Sequence, residues 1–223
     1  MNVIFERENE KLKESVLRLA GEVEARLTDV LKAVERRDQA ALQRLIELDV
    51  EIDAREVLIE EECLKILALH QPVARDLRFV VAVLKINNDL ERIGDIVANI
   101  ADRGVRLAAF PVSDLQDKLI QMGRLGREML TDSLDALISL DVRKAVAVIG
   151  RDDEVDRLNS EVIRAVIARA TVADTGAMTE PLILIHSMAR DLERIGDHAT
   201  NIAEDVAYLA DGSIIRHKHT PPN

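Results

Sequence analysis

The sequence predicts an all-α protein made of two tandem, pseudo-symmetric three-helix bundles, with six long antiparallel helices in total. Apolar residues recur at helical spacing along most of the chain, and helix breakers are few. The second half of the chain also repeats the first. We therefore expect a first three-helix unit over residues 1–109, a second over residues 110–212, and a flexible C-terminal tail over residues 213–223.

The breakers divide each unit into helices. Those in the first unit are expected from about Glu6 to Arg37, from an N-cap at Asp38 to about His70, and from about Ala74 to Ala108. In the second unit, helices are expected to begin near Asp114, Asp141 and Glu180, and the last to end near Ala210. Because the connections are short, consecutive helices should be antiparallel neighbours.

The internal repeat is strongest in the third helix of each unit. The sequence Asp-Leu-Glu-Arg-Ile-Gly-Asp at residues 89–95 recurs letter for letter at residues 191–197. The sequence Asn-Ile-Ala at residues 99–101 returns at residues 201–203. Aspartates at 38, 49 and 53 return at 141, 152 and 156, so each half is one copy of the same helix triplet.

Composition and charge exclude several classes of function. A net charge of −11 without a local basic patch disfavours nucleic acid and anionic membranes as partners. The longest apolar run is too short to span a bilayer, and the first ten residues lack the apolar segment of a signal peptide. We therefore expect a cytoplasmic protein without stable membrane insertion. Its single cysteine, Cys63, follows three glutamates and should have a raised pKa and low reactivity.

Oxygen-bearing side chains form a row on the third helix of each unit, opposite its apolar stripe. The rows consist of Glu91, Asp95, Asn99 and Asp102, and of Glu193, Asp197, Asn201 and Glu204. The second helices add pairs of aspartates, Asp49 with Asp53 and Asp152 with Asp156. Oxygen donors of this kind suit hard cations, and iron, manganese, magnesium, zinc and calcium all stay open.

Other interpretations of these residues stay open as well. The rows are solvated outer faces if Arg92 and Arg194 neutralise them. A helix-borne histidine, His186 or His198, offers a phosphotransfer site. A metal store or a metal-dependent hydrolase is the alternative from a different functional class. We expect no enzyme, because the sequence lacks Glu-x-x-His pairs, a glycine-rich phosphate loop and a Ser-His-Asp set.

Segments 74–79, 84–95 and 189–204 resemble the two signature helices of the PhoU family, and the likeness covers essentially the whole chain. The resemblance implies two three-helix bundles and, in some members, metal clusters on the acidic motifs. Carried over by position, those motifs fall on Asp49, Asp53, Glu91, Asp95, Asn99, Asp152, Asp156, Glu193, Asp197 and Asn201.

The resemblance also implies a function. It predicts a cytoplasmic negative regulator that couples the ATPase subunit of the phosphate ABC transporter to the sensor histidine kinase of a two-component system. We further expect a homodimer, with divalent or trivalent metal ions as its cofactors.

Overall fold

The structure, a computed structural model, describes residues 3–111, 114–172 and 179–212, and these residues form helices without any strand. The first unit contains α1 (Val3–Arg36), α2 (Gln39–Glu47), α3 (Asp49–His70) and α4 (Ala74–Leu107). The second contains α5 (Asp114–Ser139), α6 (Val142–Ile149), α7 (Asp152–Val172) and α8 (Thr179–Asp211). The tail expected at residues 213–223 lies outside the described residues.

All six predicted helices are present, and the second helix of each unit is divided in two by a short break. In the first unit, the backbone amide of Glu51 donates to the carbonyl of Leu48 at 3.1 Å, a tighter turn than the α-helical one. The Arg26 guanidinium also donates to this carbonyl. In the second unit, the amide of Glu154 donates to the carbonyl of Arg151 at 3.0 Å. The predicted ligand positions 49 and 152 therefore open new helices, α3 and α7.

The predicted helix starts at Asp38 and Asp141 are confirmed. The Asp38 carboxylate accepts from the backbone amide of Ala41 at 3.0 Å. The Asp141 carboxylate accepts from the amides of Arg143 and Lys144 at 2.9 and 3.3 Å. Each cap satisfies amides that the first turn of a helix leaves without an intrahelical partner, and thereby fixes where α2 and α6 begin.

The two bundles share one continuous aliphatic core. Helices α1 to α4 form the first bundle and α5 to α8 the second, and the bundles meet where α4 packs on α8 and α1 packs on α5. The apolar residues of α4 and α8 account for much of this core. No helix within the described ranges combines the length and the apolar character that crossing a bilayer requires.

Buried carboxylates cross the seam between α4 and α8. Asp89, Asp191 and Asp205 are all buried. Their partners on the opposite helix give the pairs Lys85–Asp205 at 2.9 Å, His198–Asp89 at 2.8 Å and Arg103–Asp191. Burial raises the pKa of Asp191, and Arg103 opposes this effect. Because a buried charge without a partner is costly, these pairs fix how α4 and α8 align.

A glycine in each copy of the repeated motif lets the second helix approach the third. A methyl group at Gly94 would lie 2.9 Å from Cδ1 and 3.1 Å from Cγ2 of Ile52 on α3. A methyl group at Gly196 would lie 3.4 Å from Cγ2 of Val155 on α7, an ordinary contact. The Cβ atoms of Ile52 and Val155 lie at the same distance, 3.6 Å, from these methyl groups, so the tighter contact at Gly94 comes from the longer isoleucine side chain.

We predict that Gly94→Ala is destabilising while Gly196→Ala is neutral or stabilising. Alanine gains about 1 kcal/mol over glycine inside a helix, whereas overpacking a core costs about 1 to 3 kcal/mol. At position 94 the overpacking cost applies because Ile52 is buried and its Cδ1 and Cγ2 atoms would lie 2.9 and 3.1 Å from the added methyl group. Urea unfolding of the chelator-treated variants measures the difference, and equal stability of the two variants would contradict this packing.

Candidate functional site

Three carboxylates from two helices meet at the surface of the first bundle. Asp53 on α3 and Glu91 and Asp95 on α4 each place one oxygen within 4.8 Å of the others. Asp53 is exposed, while Glu91 and Asp95 are half-buried. The close α3–α4 packing at Gly94 brings the helices near enough for these oxygens to converge. Together with Glu56, described next, these residues are called the first cluster.

Glu56 is a fourth carboxylate of this cluster, which we did not predict from the sequence. The side-chain amide of Asn87 donates to Glu56 Oε1 at 2.9 Å and to its backbone carbonyl at 3.0 Å. Burial raises the pKa of Glu56, and the negative charges of Glu60 and Asp53 raise it further. Glu56 lies three residues after Asp53, so both side chains share one face of α3. This spacing is the sequence feature that could have identified Glu56 as a member of the cluster.

The first cluster is short of positive charge. Burial, and then the charge of Asp95, raise the pKa of Glu91. Arg92 opposes this effect, with nitrogens 3.4 Å from Glu91 Oε2 and 3.4 Å from Asp95 Oδ2. Within the described residues, the Arg92 guanidinium lies at long hydrogen-bond range of two of the four carboxylates, those of Glu91 and Asp95. This arrangement leaves a net negative site that a cation would neutralise.

The repeat places a second cluster on α7 and α8, formed by Asp152, Asp156, Glu193 and Asp197. Burial raises the pKa values of Asp152, Glu193 and Asp197. The negative charges of Asp197 and Asp156 raise the pKa values of Asp152 and Glu193 further. The charge of Asp156 likewise raises the pKa of Asp197. Within the described part of the chain, these four carboxylates do not include a triad as tight as that of the first cluster.

The remaining predicted ligands differ in where their side chains lie. Asn99 is exposed on α4. The Asn201 amide donates to Asp89 Oδ1 at 3.2 Å, so this side chain takes part in the α4–α8 seam. Asp49 begins α3, and its side chain lies outside the described residues. The structure therefore brings seven of the ten predicted residues into the two clusters, and their role as metal ligands stays a prediction.

Two other residues singled out in the sequence also have clear environments. Cys63 is buried, and burial together with the charges of Glu62 and Glu60 raises its pKa to about 12, as predicted. His198 is half-buried and its Nδ1 lies 2.8 Å from Asp89 Oδ1. This ring therefore belongs to the α4–α8 seam, away from the free surface that a phosphotransfer histidine needs.

Fold and site together define a class: an all-α protein of two repeated three-helix bundles, each with a carboxylate cluster between its second and third helices. A family model described as "PhoU domain" matches twice, at residues 16–104 and 119–206. This chain belongs to the PhoU family.

Relatives and solved structures agree with this assignment. The phosphate-specific transport system accessory protein PhoU of Serratia marcescens is 34% identical over 213 residues, which cover 96% of this chain and 87% of that protein. The crystal structure of PhoU from Pseudomonas aeruginosa has a TM-score of 0.89 and 35% identity, covering 94% of this chain and 100% of that one. The crystal structure of the phosphate transport system regulatory protein PhoU from Streptococcus pneumoniae has a TM-score of 0.86 and 28% identity, covering 94% of this chain and 98% of that one.

The raised pKa values predict that each cluster destabilises the metal-free protein at neutral pH. A carboxyl whose pKa is raised on folding holds its proton more tightly in the folded state, so acidification from pH 7 through the raised values increases stability. Relative to wild type, Glu91→Gln with Glu193→Gln should be more stable at pH 7, and this advantage should shrink as the pH is lowered towards about 4, the usual carboxyl range.

Urea unfolding at several pH values in the presence of a chelator measures this difference. Glu14→Gln, which changes an exposed glutamate of α1 outside both clusters, is the matched control and should follow wild type. Parallel pH profiles for wild type and the double variant would show that the clustered carboxylates do not repel one another.

Proposed function

We propose that this chain is a non-catalytic cytoplasmic regulator of phosphate uptake. It couples the ATPase subunit of the phosphate ABC transporter to a sensor histidine kinase and favours repression when phosphate is plentiful. The observation that carries the proposal is similarity over nearly the full chain to proteins named as phosphate transport accessory or regulatory proteins. Helices with large exposed faces, such as α3 and α7, provide surface for protein contacts.

We also propose that both clusters bind hard metal ions, of which iron, manganese, zinc and magnesium are candidates. Asp53, Glu91 and Asp95 in the first cluster suit such an ion because their donors are carboxylate oxygens. One oxygen from each of the three residues lies within 4.8 Å of the other two. In the second cluster the ligands would be Asp152, Asp156, Glu193 and Asp197. A bound cation supplies positive charge where the carboxylates repel one another, so the second and third helices of each bundle become crosslinked.

Removing two of these charges tests the metal proposal. Asp95→Asn with Asp197→Asn keeps the side-chain volume but removes two anions. We predict that the double variant melts no lower than the metal-free wild type and no longer gains stability from added metal. For each cluster that is occupied at 100 times its dissociation constant, wild type should gain about 2.7 kcal/mol, or roughly 5 to 10 °C in melting temperature.

Differential scanning fluorimetry of untagged protein with added iron, manganese or zinc gives this readout. The control, Asp29→Asn with Asp135→Asn, removes two exposed aspartates outside the clusters and should respond to metal as wild type does. An equal gain in wild type and in Asp95→Asn with Asp197→Asn would mean that the clusters are ordinary solvated surface.

Deleting the gene tests the regulatory proposal. In phosphate-rich medium, the deletion strain should express a phosphate-starvation reporter that the parent strain represses, and a plasmid copy of the wild-type gene should restore repression. The reason is that the kinase loses the component that reports transporter status. Reporter expression that stays at the parental level in the deletion strain would rule out a role as negative regulator.

A further inference from the structure

Helix α3 is apolar on two opposite sides. One side faces the core and is formed by the buried residues Ile52, Ile59, Cys63 and Ile66. The other side is exposed: Val50, Val57 and Leu64 have 72%, 48% and 53% of their surface accessible. A surface helix that packs on one side normally has polar residues on the other. The apolar residues on the exposed side of α3 are therefore not explained by packing within the bundle.

The exposed residues of this second side follow a heptad pattern. Successive members are spaced four, three, four, three and four residues apart along α3, and all are exposed. We call this set the outer stripe; it consists of Val50, Ala54, Val57, Glu61, Leu64 and Ala68. It runs for about 27 Å along the helix. Heptad spacing is the pattern by which one helix packs along another.

The internal repeat provides a comparison within the molecule. Helix α7 occupies the place of α3 in the second bundle, with Val155 matching Ile52 in the core. The exposed positions of α7 that match the outer stripe are Asp153, Arg157, Ser160, Arg164, Ile167 and Thr171. All but one of these are polar, so the repeated fold does not require apolar residues here. Single exposed apolar residues are ordinary, but an ordered stripe of them indicates an interaction surface.

The charges around the outer stripe indicate what covers it. Glu51, Asp53 and Glu60 are exposed beside the stripe, and Glu61 lies within it. The nearby cation Lys65 is already paired with Glu8 at 3.4 Å and Glu62 at 3.2 Å. Two copies of this face would bring glutamates against glutamates, whereas a basic helix would neutralise them. Charge complementarity therefore favours a basic partner over a second copy of this chain.

We infer that the outer stripe is the docking site for a basic amphipathic helix of a partner protein. The partner's apolar residues would pack along Val50, Val57 and Leu64, and its basic residues would face Glu60 and Glu61. This arrangement is a helix laid along an apolar stripe, with charges at the margins setting the choice of partner. The inference rests on the proposed function, because it names the surface through which the regulator contacts its partners.

Paired arginine substitutions test the inference. Val57→Arg with Leu64→Arg adds charge to the outer stripe, and Ser160→Arg with Ile167→Arg makes the same change at the matching positions of α7. The probes are the purified transporter ATPase subunit and the cytoplasmic part of the sensor kinase, with binding measured by biolayer interferometry. For the probe that binds wild type, we expect the α3 variant to bind about tenfold more weakly or worse, and the α7 variant to match wild type.

A second variant keeps the inference testable without altering the apolar residues. Glu60→Gln with Glu61→Gln removes two charges from exposed positions, so the fold should be kept. With a basic partner, this variant should bind several-fold more weakly than wild type and lose part of the salt dependence of binding. Unchanged or tighter binding by this variant would overturn the assignment of a basic partner.

Further outcomes separate this inference from the proposed function. If wild type binds a probe but the α3 and α7 variants bind equally well, the docking site is wrong and the regulatory role stands. Wild type that binds neither probe would overturn the proposed function and this inference with it. A photo-crosslinker at position 57 should join to a basic helix of the probe, and a crosslink to α3 of a second copy instead would overturn the inference.

Discussion

The packing of α3 against α4 is the constraint on which the first cluster depends. Ile52 is buried against Gly94, and its neighbour Asp53 is thereby held close to Glu91 and Asp95. Burying an isoleucine side chain contributes about 1.5 to 3 kcal/mol, whereas a like-charge pair one helical turn apart costs about 0.2 to 0.5 kcal/mol. The apolar contact therefore outweighs one such repulsion and favours the close placement of these carboxylates.

The two bundles share a fold but differ in what they present to a partner. Both have a carboxylate cluster between their second and third helices, and both contribute a motif aspartate to the seam, Asp89 in one and Asp191 in the other. Their outer faces differ, because α3 is apolar where α7 is polar. Duplication thus accounts for the paired sites, while the exposed face of α3 distinguishes the first bundle.

Much of the fold could be predicted from the sequence, because local signals determine it: helical periodicity, caps at Asp38 and Asp141, and the repeat. The break at Leu48 has no proline or glycine to mark it and coincides with a tertiary contact from Arg26. The candidate carboxylates could be identified by their spacing. The contact of Asn201 with α4 could not be predicted. A helical pattern shows which face of a helix points away from its own core, but it does not show which other helix packs against that face.

The central claim is that the repeated acidic motifs are metal sites. The most direct measurement is an anomalous difference map from crystals of untagged protein grown with manganese or iron. We expect one strong peak among Asp53, Glu91 and Asp95, and another beside Glu193 and Asp197. A map with no peak at either cluster, at metal concentrations that saturate a known carboxylate site, would contradict the proposal that these motifs are metal sites and leave the clusters as solvated surface.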